Sequence, residues 1–109
     1  MIRRVLALGG GMLLFLVVAC AAWTQDDEAL ARRGSQLFID QGCHGCHTVG
    51  KVGTPIATDL SRIGARSREA DLATWLRDPS VQKPTAHMPR IELAEAEIRA
   101  LAAYLASLH

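Results

Sequence analysis

The sequence predicts an all-α domain of about 85 residues, three main helices plus one short turn, too small to hold itself together without a staple. Three observations carry that expectation. Apolar residues recur at helical spacing in three separate stretches of the 109-residue chain, and no stretch alternates as a strand would. The intervening segments are rich in glycine, proline and threonine, which read as loop. Of only three cysteines, two stand together in Cys43-His44-Gly45-Cys46-His47, too few for a disulfide scaffold and therefore a motif.

The N-terminus is set apart from this domain. Residues 5–23 carry no charge and follow Arg3 and Arg4. Residues 1–23 are therefore read as an export or anchoring segment and 24–109 as the domain. Three forms of that segment fit. A cleaved secretory signal would use Ala19-Cys20-Ala21 as its small-residue site. A lipoprotein signal would use Val17-Val18-Ala19-Cys20, with lipid on Cys20. A retained anchor would span about 28 Å, close to the roughly 30 Å hydrocarbon core, although Gly9-Gly10-Gly11 weakens such a helix. All three put the domain outside the cytoplasm, on the periplasmic side, and two of them tether it to the membrane.

Along the domain, residues 24–27 are polar and read as a short linker in which Asp26 or Asp27 caps the first helix. Leu30, Gly34, Leu37 and Phe38 form its apolar stripe, and it ends around Asp40, before Gly42. A glycine on an apolar stripe implies close approach of another backbone. Residues 48–58 read as loop, and 59–63 as one helical turn. Ser67 is placed as the cap of a second helix carrying Leu72, Trp75 and Leu76 and stopped by Pro79. Residues 80–91 read as an extended loop. A third helix starts near Ala94, with Ile98, Leu101, Leu105 and Leu108 in period and no Ser or Asp at its cap. Phe38, Leu60, Leu72, Leu76, Leu101 and Leu105 are the expected core. Without Arg3 and Arg4 the charge is near neutral, ten basic against eleven acidic residues, which gives nucleic-acid binding no support.

Cys43-x-x-Cys46-His47 is the attachment pattern of a single c-type haem. Two thiols three residues apart can each bond one vinyl group, and the next residue offers an imidazole to the iron. A closed zinc site would need four ligands, with a second well-spaced pair that the sequence lacks. A thioredoxin-like pair would need a βαβ context, also missing. For the second axial position Met88 is the only methionine outside the N-terminal segment. A thioether opposite histidine stabilises ferrous iron and raises the potential. Its neighbour His87 is the competing ligand, and an open position is the third possibility. His44 is expected to be exposed.

Beyond the motif, Gly34-x-x-x-Phe38, Met88-Pro89 and Leu101-x-x-Tyr104-Leu105 complete a pattern that resembles a class I cytochrome c over nearly the whole domain. The resemblance implies a helical fold around one covalent haem, with Gly34 and an aromatic where the first and last helices cross. The stretch 59–66, Trp75-Leu76-Arg77-Asp78-Pro79 and Lys83-Pro84 are similar to the cytochrome c domain fused to subunit II of some bacterial haem–copper oxidases. There the segment commonly opens Gly-Pro-Asp-Leu; here Ala57 and Thr58 stand in place of Gly-Pro. The resemblance implies a carbonyl that orients His47 through Nδ1, with Thr58 the aligned position and Pro55 the alternative. It also implies that Arg66 and Trp75 contact haem propionates, the alternatives being a surface arginine and a packing tryptophan. Residues of a copper-binding half are not in this sequence, so the expectation is a cytochrome portion standing alone.

The function that follows is one-electron transfer rather than catalysis by this chain. It would serve either as a periplasmic carrier between a redox donor and acceptor, or as a subunit of a membrane-associated oxidoreductase complex such as a terminal oxidase. A haem enzyme or gas sensor would need an open iron position. Residues 62–90 carry six basic against three acidic side chains, a stretch that includes Met88 and could steer an acidic partner.

Overall fold

The computed structural model describes residues 22–109. The readings of residues 1–21, including lipidation of Cys20, lie outside them. Among the described residues no helix is long and apolar enough to cross a membrane.

Helix α1 runs over residues 22–40. The 24–27 segment is thus helical rather than a linker. Nothing between residues 22 and 33 is Gly or Pro, and Glu28 pairs with Arg32 one turn on, at 3.9 Å. Residues 22–29 are exposed, and the stripe Gly34, Leu37 and Phe38 is buried. A 3₁₀ turn, Cys43–Gly45, follows. In the 48–58 stretch the chain forms a two-residue antiparallel ladder, β1 Thr48–Val49 with β2 Val52–Gly53. It is too short for the alternation that marks a strand in sequence. The helical turn expected at 59–63 lies later, as a 3₁₀ turn at Ile63–Ala65.

Helix α2, Glu69–Arg77, starts one residue later than expected: Arg68 occupies the cap position and Ser67 makes no cap bond. Arg68 Nε instead reaches Asp71 Oδ2 at 2.9 Å. Pro79 ends α2 and opens a short helix, α3 Pro79–Gln82, where extended chain was expected. Asp78 caps it, accepting from Ser80 N at 3.0 Å and from Ser80 Oγ at 2.6 Å. Asp-Pro-Ser is an N-cap followed by proline at the first helical position, so the residue that stops one helix starts the next. Helix α4 spans Glu95–Ala106. Its capless start is closed from within, Ala94 N–H donating to Glu97 Oε1 at 2.9 Å.

The core is Leu37 and Phe38 from α1, Leu72 and Leu76 from α2, and Ile98, Ala100, Leu101, Ala102 and Leu105 from α4. Leu60 is half-buried at its edge. Phe38 meets Tyr104 edge-on at 5.7 Å. Gly34 is the reason α1 and α4 can touch: a Cβ there would overlap the Ala100 carbonyl and stand 2.7 Å from Tyr104 Cβ. The backbone approach implied by a glycine on the apolar stripe is therefore present, and α4 is what approaches.

Three carboxylates hold turns and helix starts, and each sits below the ordinary carboxylate range. Ser61 does this for Asp59, Ser80 for Asp78, and the Arg77 guanidinium for Glu95. Arg77 Nε lies 3.1 Å from both Glu95 oxygens and ties the end of α2 to the start of α4. A depressed folded-state value contributes stability above the unfolded pKa, about 4, which is lost as pH falls through the folded value. Thermal melting should therefore give a steady Tm above pH 5 and a falling one below about pH 4. Asp78→Asn should remove part of that slope.

Candidate haem-binding site

The 3₁₀ turn after α1 places the motif. His47 N–H and Cys46 N–H both donate to Cys43 O, at 3.0 and 3.3 Å, so the two cysteines and the histidine follow one tight bend. Cys43 is half-buried and Cys46 exposed, both as free thiols. Burial pushes the Cys43 thiol pKa up, so it is an uncharged sulfur at neutral pH. His44 is half-buried rather than exposed. Its ring stands edge-on to Phe38 at 4.7 Å, because the bend turns residue 44 back onto α1. Its Nδ1 is buried without a partner among the described residues. Gly53 closes this corner with φ 114°; a side chain there would overlap the His47 carbonyl and reach 3.0 Å from His44 Nδ1.

His47 is oriented by Thr58, not Pro55: Nδ1 lies 2.7 Å from Thr58 O. A carbonyl can only accept, so Nδ1 carries the proton, and in the neutral ring Nε2 is the nitrogen with the lone pair. That is the tautomer a metal requires, fixed by the outer partner before any metal is bound. The carbonyl is itself bracketed, with Ala57 N–H donating to Cys46 O at 2.7 Å and Leu60 N–H to Thr48 O at 2.9 Å.

Met88 packs against the core, half-buried, while His87 beside it is exposed. Trp75 from α2 donates its indole N–H to Met88 Sδ at 3.1 Å. An indole has one such donor, and here it goes to the methionine. Arg66 is exposed and donates from Nη2 to Asp59 O at 3.2 Å. Cys43 and Met88 border the same apolar cluster, and among the described residues no polar side chain is buried. Among the described residues no group of three or more His, Cys, Asp or Glu is gathered as a metal cage. The donor set is thus two thiols, one imidazole with a free Nε2 and one thioether against an apolar core. That set fits a covalently attached haem. The Trp75–Met88 bond and the packing of His44 were not legible in the sequence; the first joins residues thirteen apart, and the second lies inside the motif's freely varying position.

The family model described as cytochrome c matches residues 31–109. Over 90 residues the chain is 36% identical to cytochrome c oxidase subunit 2 of Alkalihalophilus pseudofirmus, covering 74% of this chain and 26% of that protein. Over 100 residues it is 34% identical to cytochrome c oxidase subunit 2 of Bacillus sp. (strain PS3), covering 74% of this chain and 27% of that one. The chain spans about a quarter of the length of these curated relatives.

Proposed function

The chain belongs to the cytochrome c family of electron-transfer domains, and from that premise we propose that it is a one-electron carrier with a single haem c. Cys43 and Cys46 would hold the group covalently, and His47 and Met88 would ligate its iron. The bound group supplies a reversible ferric–ferrous couple. The protein's part is to attach it, fix the His47 tautomer through Thr58, hold the Met88 sulfur through Trp75, and keep water out with the α1, α2 and α4 core.

Two separate contacts support this reading. His47 has its outer nitrogen committed to Thr58 O, and Met88 is turned to the core with a donor on its sulfur. Two protein ligands leave the metal no position for substrate, so this chain transfers electrons and performs no catalysis of its own. Residues 1–23 act as the export or anchoring segment, with Cys20 a candidate for lipid, so the domain works on the periplasmic side near a membrane. Arg66 remains available, by its exposure, to a haem propionate.

The test is attachment. Cys43→Ser or Cys46→Ser should leave at most one thioether bond, read by haem-stained denaturing electrophoresis and by mass. Doubly attached haem in either variant would overturn the assignment. Rapid carbon monoxide binding by the wild-type ferrous protein would favour an open-site haem enzyme or sensor instead.

A second reading is a cytochrome subunit of a membrane-associated oxidoreductase complex. The similarity to cytochrome c oxidase subunit 2 favours it. Stoichiometric co-purification with a larger respiratory enzyme would select it over a free carrier. Two of the six basic residues of the Met88 stretch are held in ion pairs, Arg68 with Asp71 and Arg77 with Glu95. Arg62, Arg66, Lys83 and Arg90 are the exposed charges left to meet an acidic partner.

A further inference from the structure

We propose that Asp59 and Ser61 are positioning residues for His47: their side chains lock the Thr58 carbonyl that holds the imidazole. This rests on the reading of His47 as an iron ligand.

A proline at position 58 would restrict φ there and bias the preceding residue to extended backbone. Thr58 imposes neither restriction. The structure supplies a different constraint immediately after it. Asp59 Oδ1 accepts from Ser61 N–H at 2.9 Å and from the Ser61 hydroxyl at 2.6 Å, a side-chain turn over residues 59–61. The Ser61 oxygen in turn accepts from Gly50 N–H at 2.7 Å. Gly50 lies three residues beyond His47, in the connection between the two short strands. The staple therefore joins the carbonyl's own segment to the segment that carries the ligand. The backbone bonds of Ala57 and Leu60 to Cys46 and Thr48 flank it. Because a second partner on the far nitrogen makes a ligating imidazole a stronger donor, the firmness of the Thr58 carbonyl sets how well His47 supports ferric iron.

The experiment uses the full-length holoprotein. In ferric wild type the His47 ring N–H is followed by proton NMR in exchange with deuterated water, alongside the reduction potential. Asp59→Ala should speed ring N–H exchange about tenfold and shift the ferric–ferrous balance about threefold toward ferrous, about 28 mV at 59 mV per tenfold. Ser61→Ala removes the bond to Gly50 as well as the hydroxyl bond to Asp59, and should move both readouts the same way by at least as much. Asp59→Asn keeps an oxygen acceptor for Ser61 and should stay near wild type. Thr58→Pro in the Asp59→Ala background should restore both readouts, since among the described residues no backbone bond uses the Thr58 N–H. The proposal is overturned if the alanine variants match wild type, if Asn behaves like Ala and so reports charge alone, or if proline fails to rescue. A wild-type protein that holds haem with no hyperfine-shifted His47 ring signal would instead overturn the ligand assignment itself.

Discussion

Met88→Ala should lower the reduction potential by on the order of 0.1 V or more and abolish the weak sulfur-to-iron band expected at the red end of the ferric spectrum. The reasoning begins with inventory: Met1 and Met12 lie in the N-terminal segment, so no second thioether is available. A thioether opposite histidine favours ferrous iron, and a nitrogen ligand or water favours ferric iron. His87 is adjacent and exposed, so it is the residue positioned to enter when the sulfur is gone. Pro84 and Pro89 restrict the loop that carries both. Met88→Ala/His87→Ala should then bind carbon monoxide or imidazole readily, and wild type should not. Retention of both the band and the potential in Met88→Ala would contradict the ligand assignment. Trp75→Phe is the companion measurement. It removes the donor to Met88 Sδ while keeping an aromatic ring at this position, so it should perturb the band without abolishing it.

Phe38→Ala should cost about 3–5 kcal/mol of holoprotein stability, the range for truncating a buried aromatic. Phe38 is only 2% exposed. It stands between His44 at 4.7 Å and Tyr104 at 5.7 Å, edge-on to each. The α1 stripe, the motif bend and α4 therefore meet on this one ring. Small domains have stabilities of about 5–15 kcal/mol in all, so the loss is a large fraction, and Tm should drop by on the order of 20 °C. Because His44 lies inside the attachment motif, haem incorporation should fall as well. Denaturant midpoints and haem content per protein are the two readouts. A shift under 1 kcal/mol would mean that Phe38 does not join these elements as its contacts indicate.

Much of this protein is legible along the chain. The motif at 43–47 depends on adjacent residues, so its chemistry can be read without a fold. The helical stripes at Gly34–Phe38, Leu72–Leu76 and Ile98–Leu105 follow from local periodicity, and the glycine on the first stripe announces a close neighbour. Singling out Met88 needs only a count of methionines. The errors at element edges are local competitions that spacing alone does not settle. Residues 24–27 joined α1 because no glycine or proline interrupts them, and Pro79 both ended α2 and opened α3 because Asp78 could cap it.

What only the tertiary structure decided is which group faces which across distance. Thr58 rather than Pro55 meets His47, eleven residues away, because Ala57 and Leu60 pin that strip of backbone beside Cys46 and Thr48. Met88 rather than His87 packs inward, and Trp75 reaches its sulfur from another helix. His44 folds under Phe38. The physical reason is common to all of them. Residue type and spacing determine what a side chain can do, but a hydrogen bond needs its donor within about 3 Å of its acceptor. Between segments far apart in sequence, only the packing of α1, α2 and α4 around one core sets that distance.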